Sequence, residues 1–143
     1  MTLDEIRSKA DVARRQIEEL ERIPQASYEE FAGDFRNLPC ALHLLQTTIQ
    51  ALIDIASFAA SRLGVGAPSS SLDVLVRLEE GGHLPVGSAN RFAPVIGFRN
   101  RVVHLYARID ARIVYRVVTK DREDLEELLR LLLAALEPSD AKG

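Results

Sequence analysis

The 143 residues hold one cysteine, Cys40. A lone thiol cannot close an intramolecular disulfide and is too little for a thiolate zinc site, so nothing points to an oxidising compartment. Also missing is any signal-peptide pattern: the opening "MTLDEIRSKADVARR" is charged from residue 4 onward, where a leader would carry an apolar run. No stretch reads as the roughly 20 apolar residues of a membrane span. Strand-like alternation, internal repeats, low-complexity segments and His/Cys/carboxylate clusters with ligand spacing are all absent from the pattern. The expectation is a cytoplasmic helical protein with no membrane contact, no metal and no cofactor.

What is present suffices for a core. Apolar residues make up 47% of the chain, enough for one domain spanning residues 1–143, with a short C-terminal tail from about residue 138. The net charge of −3 disfavours a generic polyanion binder, but the charge is unevenly placed. Residues 1–90 carry 8 basic and 13 acidic side chains, residues 91–122 carry 8 and 2, and residues 123–143 carry 2 and 6. The basic block comprises Arg91, Arg99, Arg101, Arg108, Arg112, Arg116, Lys120 and Arg122. Either it attracts a polyanion or it solvates a helical surface.

Helical signals run the length of the chain. Thr2 and Glu5 form a capping box ahead of Leu3, Ile6, Ala10, Ala13, Ile17 and Leu20, an amphipathic stripe that stops before Pro24. Ser27 and Glu30 repeat the cap and predict a short helix over 28–36. Residues 38–63 read as one long central helix, with Asn37 as N-cap, Pro39 in the first turn and Gly64 closing it. After the loop "GVGAPSSSLD" comes a short helix at about 71–80. Ser88 then caps a helix over 89–108, and Asp110 caps a last one running to about Glu137. Four long helices and two short ones predict an all-α bundle.

The helix over 89–108 carries the chemistry. At about 100° per residue, Val95, Phe98, Val102, Leu105 and Ile109 form one stripe, which serves the core. Measured from Arg99, Tyr106 lies at about −20°, Ile96 at about +60°, Asn100 at about +100° and His104 at about +140°. A second, mixed face therefore joins Ile96, Val103 and Ala107 to Arg99, Asn100, His104 and Tyr106. That face is too apolar for water and too polar for a core. Arg99 and His104 diverge on their own helix, so two copies crossing about a two-fold axis would bring arginine of one to histidine of the other. Each residue also has a plainer reading. His104 suits a semi-buried position hydrogen-bonded to Asn100, Tyr106 a rim, and Arg99 an ion pair with Asp54 or Asp110.

In "RNRVVHLY", residues 99–106, the chain resembles the HEPN superfamily and within it the HepT-like toxins, which are encoded beside a nucleotidyltransferase antitoxin of the MntA type. The family signature is Arg, four to six residues, then His, often with Asn after the Arg and Tyr two after the His. Arg99, Asn100, His104 and Tyr106 fill it. "ALIDIASFAASRLGVGAPSSSLDVLVRL" resembles the family's central helix, loop and short helix, and the likeness covers roughly residues 5–137. Leu105 departs from it, where many relatives carry an acidic residue.

The resemblance implies a homodimeric HEPN-type bundle and a metal-independent endoribonuclease. Catalytic roles would fall on Arg99, His104 and Asn100, and Asp54 would orient Arg99 or His104. Arg101, Arg108 and Arg112 would add contacts to the RNA substrate. It further implies neutralisation by a cognate MntA-type nucleotidyltransferase that transfers AMP to Tyr106, whereas Tyr28 and Tyr115 read as structural. The alternative is a non-catalytic HEPN module that docks a nucleotidyltransferase or binds nucleotide; a bare dimerisation bundle would leave His104 idle.

Overall fold

The computed structural model describes residues 1–105 and 110–137, the side chains of 102–105 excepted. Helix α1 spans Leu3–Arg22, and the Thr2 hydroxyl accepts the Glu5 N–H at 3.2 Å, as the capping box requires. Its stripe of Ile6, Ala10, Ala13, Ile17 and Leu20 is buried. Helix α2, Tyr28–Ala32, is capped by Ser27 but is shorter than the sequence predicts. Gly33 ends it, and the Asp34 carboxylate accepts from the Arg36 backbone and guanidinium, turning the chain into the next helix.

Helix α3, Asn37–Arg62, is the central element and packs against every other helix of the bundle. Asn37 is not its cap. Buried in the first turn, Asn37 donates from Nδ2 to the Phe31 carbonyl at 3.1 Å and so ties α2 to α3. The expected C-terminal glycine is in place. Gly64 has φ +67°, its N–H reaches the Ser61 carbonyl at 3.3 Å, and the Val65 N–H reaches Ala60 at 3.2 Å, a Schellman closure. Contrary to expectation, α3 is long and apolar enough by length and composition to cross a membrane. Most of its most apolar stretch is buried inside the bundle, so the apolar residues that mimic a span here serve the core.

Helix α4, Ser71–Glu80, starts on Ser70, whose hydroxyl accepts the Asp73 N–H at 3.0 Å. Helix α5 spans Ser88–Leu105. Ser88 does not supply the cap expected of it: its hydroxyl donates to the Pro85 carbonyl at 2.6 Å. The Glu79 carboxylate, from the end of α4, takes the free N–H groups of Gly87 at 3.0 Å and Ala89 at 2.8 Å. Those two backbone donors hold the Glu79 carboxyl below its usual range.

The last helix is interrupted. Asp110 caps α6, Ala111–Arg116, through the Arg112 N–H at 2.8 Å; a π-helical segment, Val117–Asp121, follows, and then α7, Arg122–Leu136. A regular α stripe through Val114, Val118 and Leu125 would bring Asp121 to the core. The wide turn falls at this point, leaving Asp121 half-buried with its carboxyl pushed up by burial and then by the Asp124 carboxylate. Counting α6 to α7 as one broken helix, the described residues give four long and two short helices, the all-α bundle that the sequence predicts. The tail expected from about residue 138 lies outside the described residues.

One apolar cluster holds the elements together, with Phe31, Leu45, Ile49, Leu52, Leu78, Phe92 and Leu128 among its fully buried side chains. Tyr28 and Tyr115 are structural as expected. Their rings meet edge-on at 5.6 Å, and the Tyr115 hydroxyl donates to the Gln25 carbonyl at 3.3 Å.

Candidate functional site

Helix α5 presents Phe92, Val95, Ile96 and Phe98 to the core. Ile96 is only 3% exposed, so it belongs to the fold of the single chain and not to the mixed face on which its helical angle places it. Val102, Leu105 and Ile109 of the expected core stripe, and Val103 and Ala107 of the mixed face, have side chains outside the described residues. Arg99, one residue past Phe98, is half-buried.

Three helices contribute to its surroundings. From α5, Arg99 donates through Nη2 to Gln50 Oε1 on α3 at 2.5 Å. Gln50 Nε2 donates to Asp54 Oδ1, one turn along α3, at 2.9 Å. The other oxygen of Asp54 accepts from Lys9 Nζ of α1 at 3.2 Å. Asn100 is exposed, and its Oδ1 lies 3.5 Å from Arg99 Nη1. Arg99 Nε is buried, with no hydrogen-bond partner among the described residues.

The two ion pairs that the sequence allowed Arg99 are therefore taken elsewhere. Asp54 is held by Lys9, and Asp110 caps α6. Asp54 meets Arg99 only through Gln50, one hydrogen bond further away than expected. Gln50 is the residue that sequence reasoning missed. Its signal was the i,i+4 spacing to Asp54 on a helix already read as central, a pairing that favours a Gln to Asp hydrogen bond. Because the partner is a neutral amide, Arg99 is held without its charge being paired, which suits it to an anionic oxygen.

His104 lies in α5 with its side chain outside the described residues, and Tyr106 and Arg108 lie outside them entirely. Arg101 is exposed, and Arg112 lies over the Tyr28 ring at 5.4 Å. The basic block is not all free charge. Arg91 pairs with Asp124 at 3.0 Å, while Arg122 meets Glu21 at 3.6 Å and Gln25 at 2.9 Å. Cavity size does not mark the site either: a cleft of about 700 Å³ between α1 and α7 includes none of the arginine network. A smaller one of about 350 Å³, between α1 and α3, is lined by Lys9, Gln50 and Asp54.

A bundle with an Arg-x4-His helix, its arginine half-buried and aimed by a neighbouring helix, invites comparison with known proteins. A family model described as ribonuclease HepT-like matches residues 13–132. The chain belongs to this family.

Two HepT nucleases are similar over most of their length. The mRNA nuclease HepT of Shewanella oneidensis is 27% identical over 131 residues, 92% of this chain and 98% of that protein. The tRNA nuclease HepT of Aphanizomenon flos-aquae is 27% identical over 114 residues, 80% of this chain and 78% of that one. Among solved structures, the tri-AMPylated Shewanella oneidensis HEPN toxin in complex with its MNT antitoxin superposes with a TM-score of 0.80 at 27% identity. That match covers 94% of this chain and 99% of the toxin. The fold of that toxin is thus matched over 94% of this chain, and the family is one of RNA-cleaving enzymes.

Proposed function

We propose that this chain is the toxin of a toxin–antitoxin pair, a metal-independent endoribonuclease whose site joins Arg99 of one copy to His104 of another. The observation that carries the reading is Arg99 itself, half-buried, held by neutral Gln50 and with Nε unmet among the described residues. A guanidinium so placed suits a phosphate, whose oxygens match its planar fork of donors.

Cleavage then needs no group beyond the chain's own. The ribose 2′-oxygen attacks the adjacent phosphorus and the bond to the 5′-oxygen breaks, leaving a 2′,3′-cyclic phosphate and a free 5′-hydroxyl. His104 takes the 2′-hydroxyl proton and returns a proton to the leaving 5′-oxygen, a task suited to an imidazole whose ordinary pKa is about 6.5. Arg99 stabilises the charge that grows on the phosphorane oxygens, and Asn100, exposed beside it, orients the imidazole or a phosphate oxygen. On one helix Arg99 and His104 diverge by about 140°, so a homodimer with α5 near its two-fold axis supplies the convergence.

The partner is a nucleotidyltransferase of the MNT type. Its transfer of AMP to Tyr106, with the phenolic oxygen attacking the α-phosphorus of ATP and releasing pyrophosphate, would place a phosphate next to Arg99 and fill the RNA phosphate's position. The AMPylated toxin bound to MNT antitoxin among the similar structures supports this reading.

The test is cleavage of labelled RNA by purified protein in EDTA, wild type beside a folded His104→Ala variant. Cleavage by wild type alone supports the assignment. Equal cleavage by both contradicts the role of His104, and intact mass shows whether an inactive wild type carries AMP.

A further inference from the structure

The network behind Arg99 has an order that packing alone does not require. Proceeding from α1 through α3 to α5, it runs Lys9, Asp54, Gln50, Arg99, with hydrogen bonds of 3.2, 2.9 and 2.5 Å. Lys9 and Arg99 only donate, the ionised Asp54 only accepts, and Gln50 does both. A glutamine amide can sit in either of two flipped orientations, of which only one offers oxygen to Arg99. Asp54 selects that one, because its Oδ1 accepts from the amide N–H and would repel the amide oxygen. Lys9 occupies Oδ2 and leaves Oδ1 for Gln50.

We propose that Gln50 is a positioning residue for RNA cleavage: it fixes the Arg99 guanidinium for the scissile phosphate, and Asp54 fixes the amide of Gln50. This inference rests on the ribonuclease reading above. A carboxylate at position 50 would hold Arg99 as well but would cancel its charge and stand against Asp54. An amide anchors the cation and leaves it whole for the substrate. Gln50 does not touch the reacting atoms; it acts through Arg99.

The experiment compares Gln50→Ala, Asp54→Asn and the double variant with wild type, each confirmed folded, in RNA-cleavage kinetics. Arginine side-chain 1H–15N spectra are recorded on the same samples. Losing the anchor should lower kcat by up to about 100-fold with a smaller change in KM, because misplacing a charge-stabilising group by about 1 Å costs that much. Asp54→Asn should lose less, and the double variant no more than Gln50→Ala, since both act through one contact.

The Arg99 guanidinium signal should be exchange-narrowed in Gln50→Ala and restricted in wild type. Activity of Gln50→Ala within about twofold of an active wild type overturns the proposal while leaving the ribonuclease reading intact. So does additive loss in the double variant. Should wild type cleave no RNA and carry no AMP, the ribonuclease reading fails instead. The guanidinium spectrum then decides the anchor: an Arg99 signal unchanged by Gln50→Ala overturns it as well.

Discussion

At the residue scale the site turns on what holds Arg99 and what does not. Arg99, Asn100, His104 and Tyr106 could be proposed from the sequence because the motif sits in one continuous stretch of it. Gln50 was not, because its contact to Arg99 bridges 49 positions and depends on how α3 and α5 cross. The ion pair of Arg99 with Asp54 failed for a similar reason: Lys9, on a third helix, takes the carboxylate. If the fork of donors matters beyond its charge, Arg99→Lys keeps the cation but loses the planar contact to Gln50 and phosphate. Cleavage by that variant should fall by about 100-fold or more, the scale of losing one donor to a developing oxyanion, with the fold intact by circular dichroism.

At the scale of elements, most caps and stripes whose partners lie within a turn were legible, Asn37 being the exception because it donates to Phe31 instead. Thr2, Ser27 and Asp110 cap their helices as the sequence predicts. The start of α5 was misread because its cap is a side chain from another helix, Glu79, and α2 was drawn too long because the Asp34–Arg36 turn competes with it. The π segment left no periodic trace, since Val114, Val117, Val118 and Leu125 keep ordinary helical spacing through it.

Two carboxyls on these elements should move stability in opposite directions with pH. Glu79 titrates lower in the folded chain than in the unfolded one, so its contribution is present above about pH 4.5 and is lost as pH falls through its folded value. Glu79→Gln should therefore melt below wild type at pH 7, with the two converging in acid. Asp121 is raised, so its ionisation opposes folding, and the penalty appears as pH rises from the unfolded toward the folded value. Asp121→Asn should melt above wild type at pH 7, and the gap should close below about pH 4. Thermal melts across pH decide both; a Glu79→Gln deficit that widens in acid would refute the cap. Gly64→Ala should cost about 1–2 kcal/mol in denaturant unfolding, because φ +67° is strained for a residue with a Cβ.

Across the whole molecule, the bundle and its central helix were legible from apolar periodicity, whereas the distribution of free charge was not. Two arginines of the basic block meet carboxylates far away in sequence: Arg91 finds Asp124, and Arg122 finds Glu21. The net charge of residues 91–122 therefore overstates what is available to a polyanion. Exposed Arg101 should count toward RNA, and Arg122 should not. Neutralising Arg101 to Gln should lower the salt slope of RNA binding by about one contact, while Arg122→Gln should leave it unchanged. Equal effects from both would mean that the internal pair opens on binding.

The claim that most needs testing is that one active site is built from two chains. Arg99→Ala and His104→Ala are each expected to be inactive, so their mixture is the direct test. With subunits exchanged at equal amounts, about half of the dimers are mixed, and each mixed dimer rebuilds one intact site from Arg99 of one chain and His104 of the other. Labelled RNA should then be cleaved at about one quarter of the wild-type rate, in EDTA. A mixture as inactive as its components, with mixed dimers confirmed by native mass, would contradict the composite site.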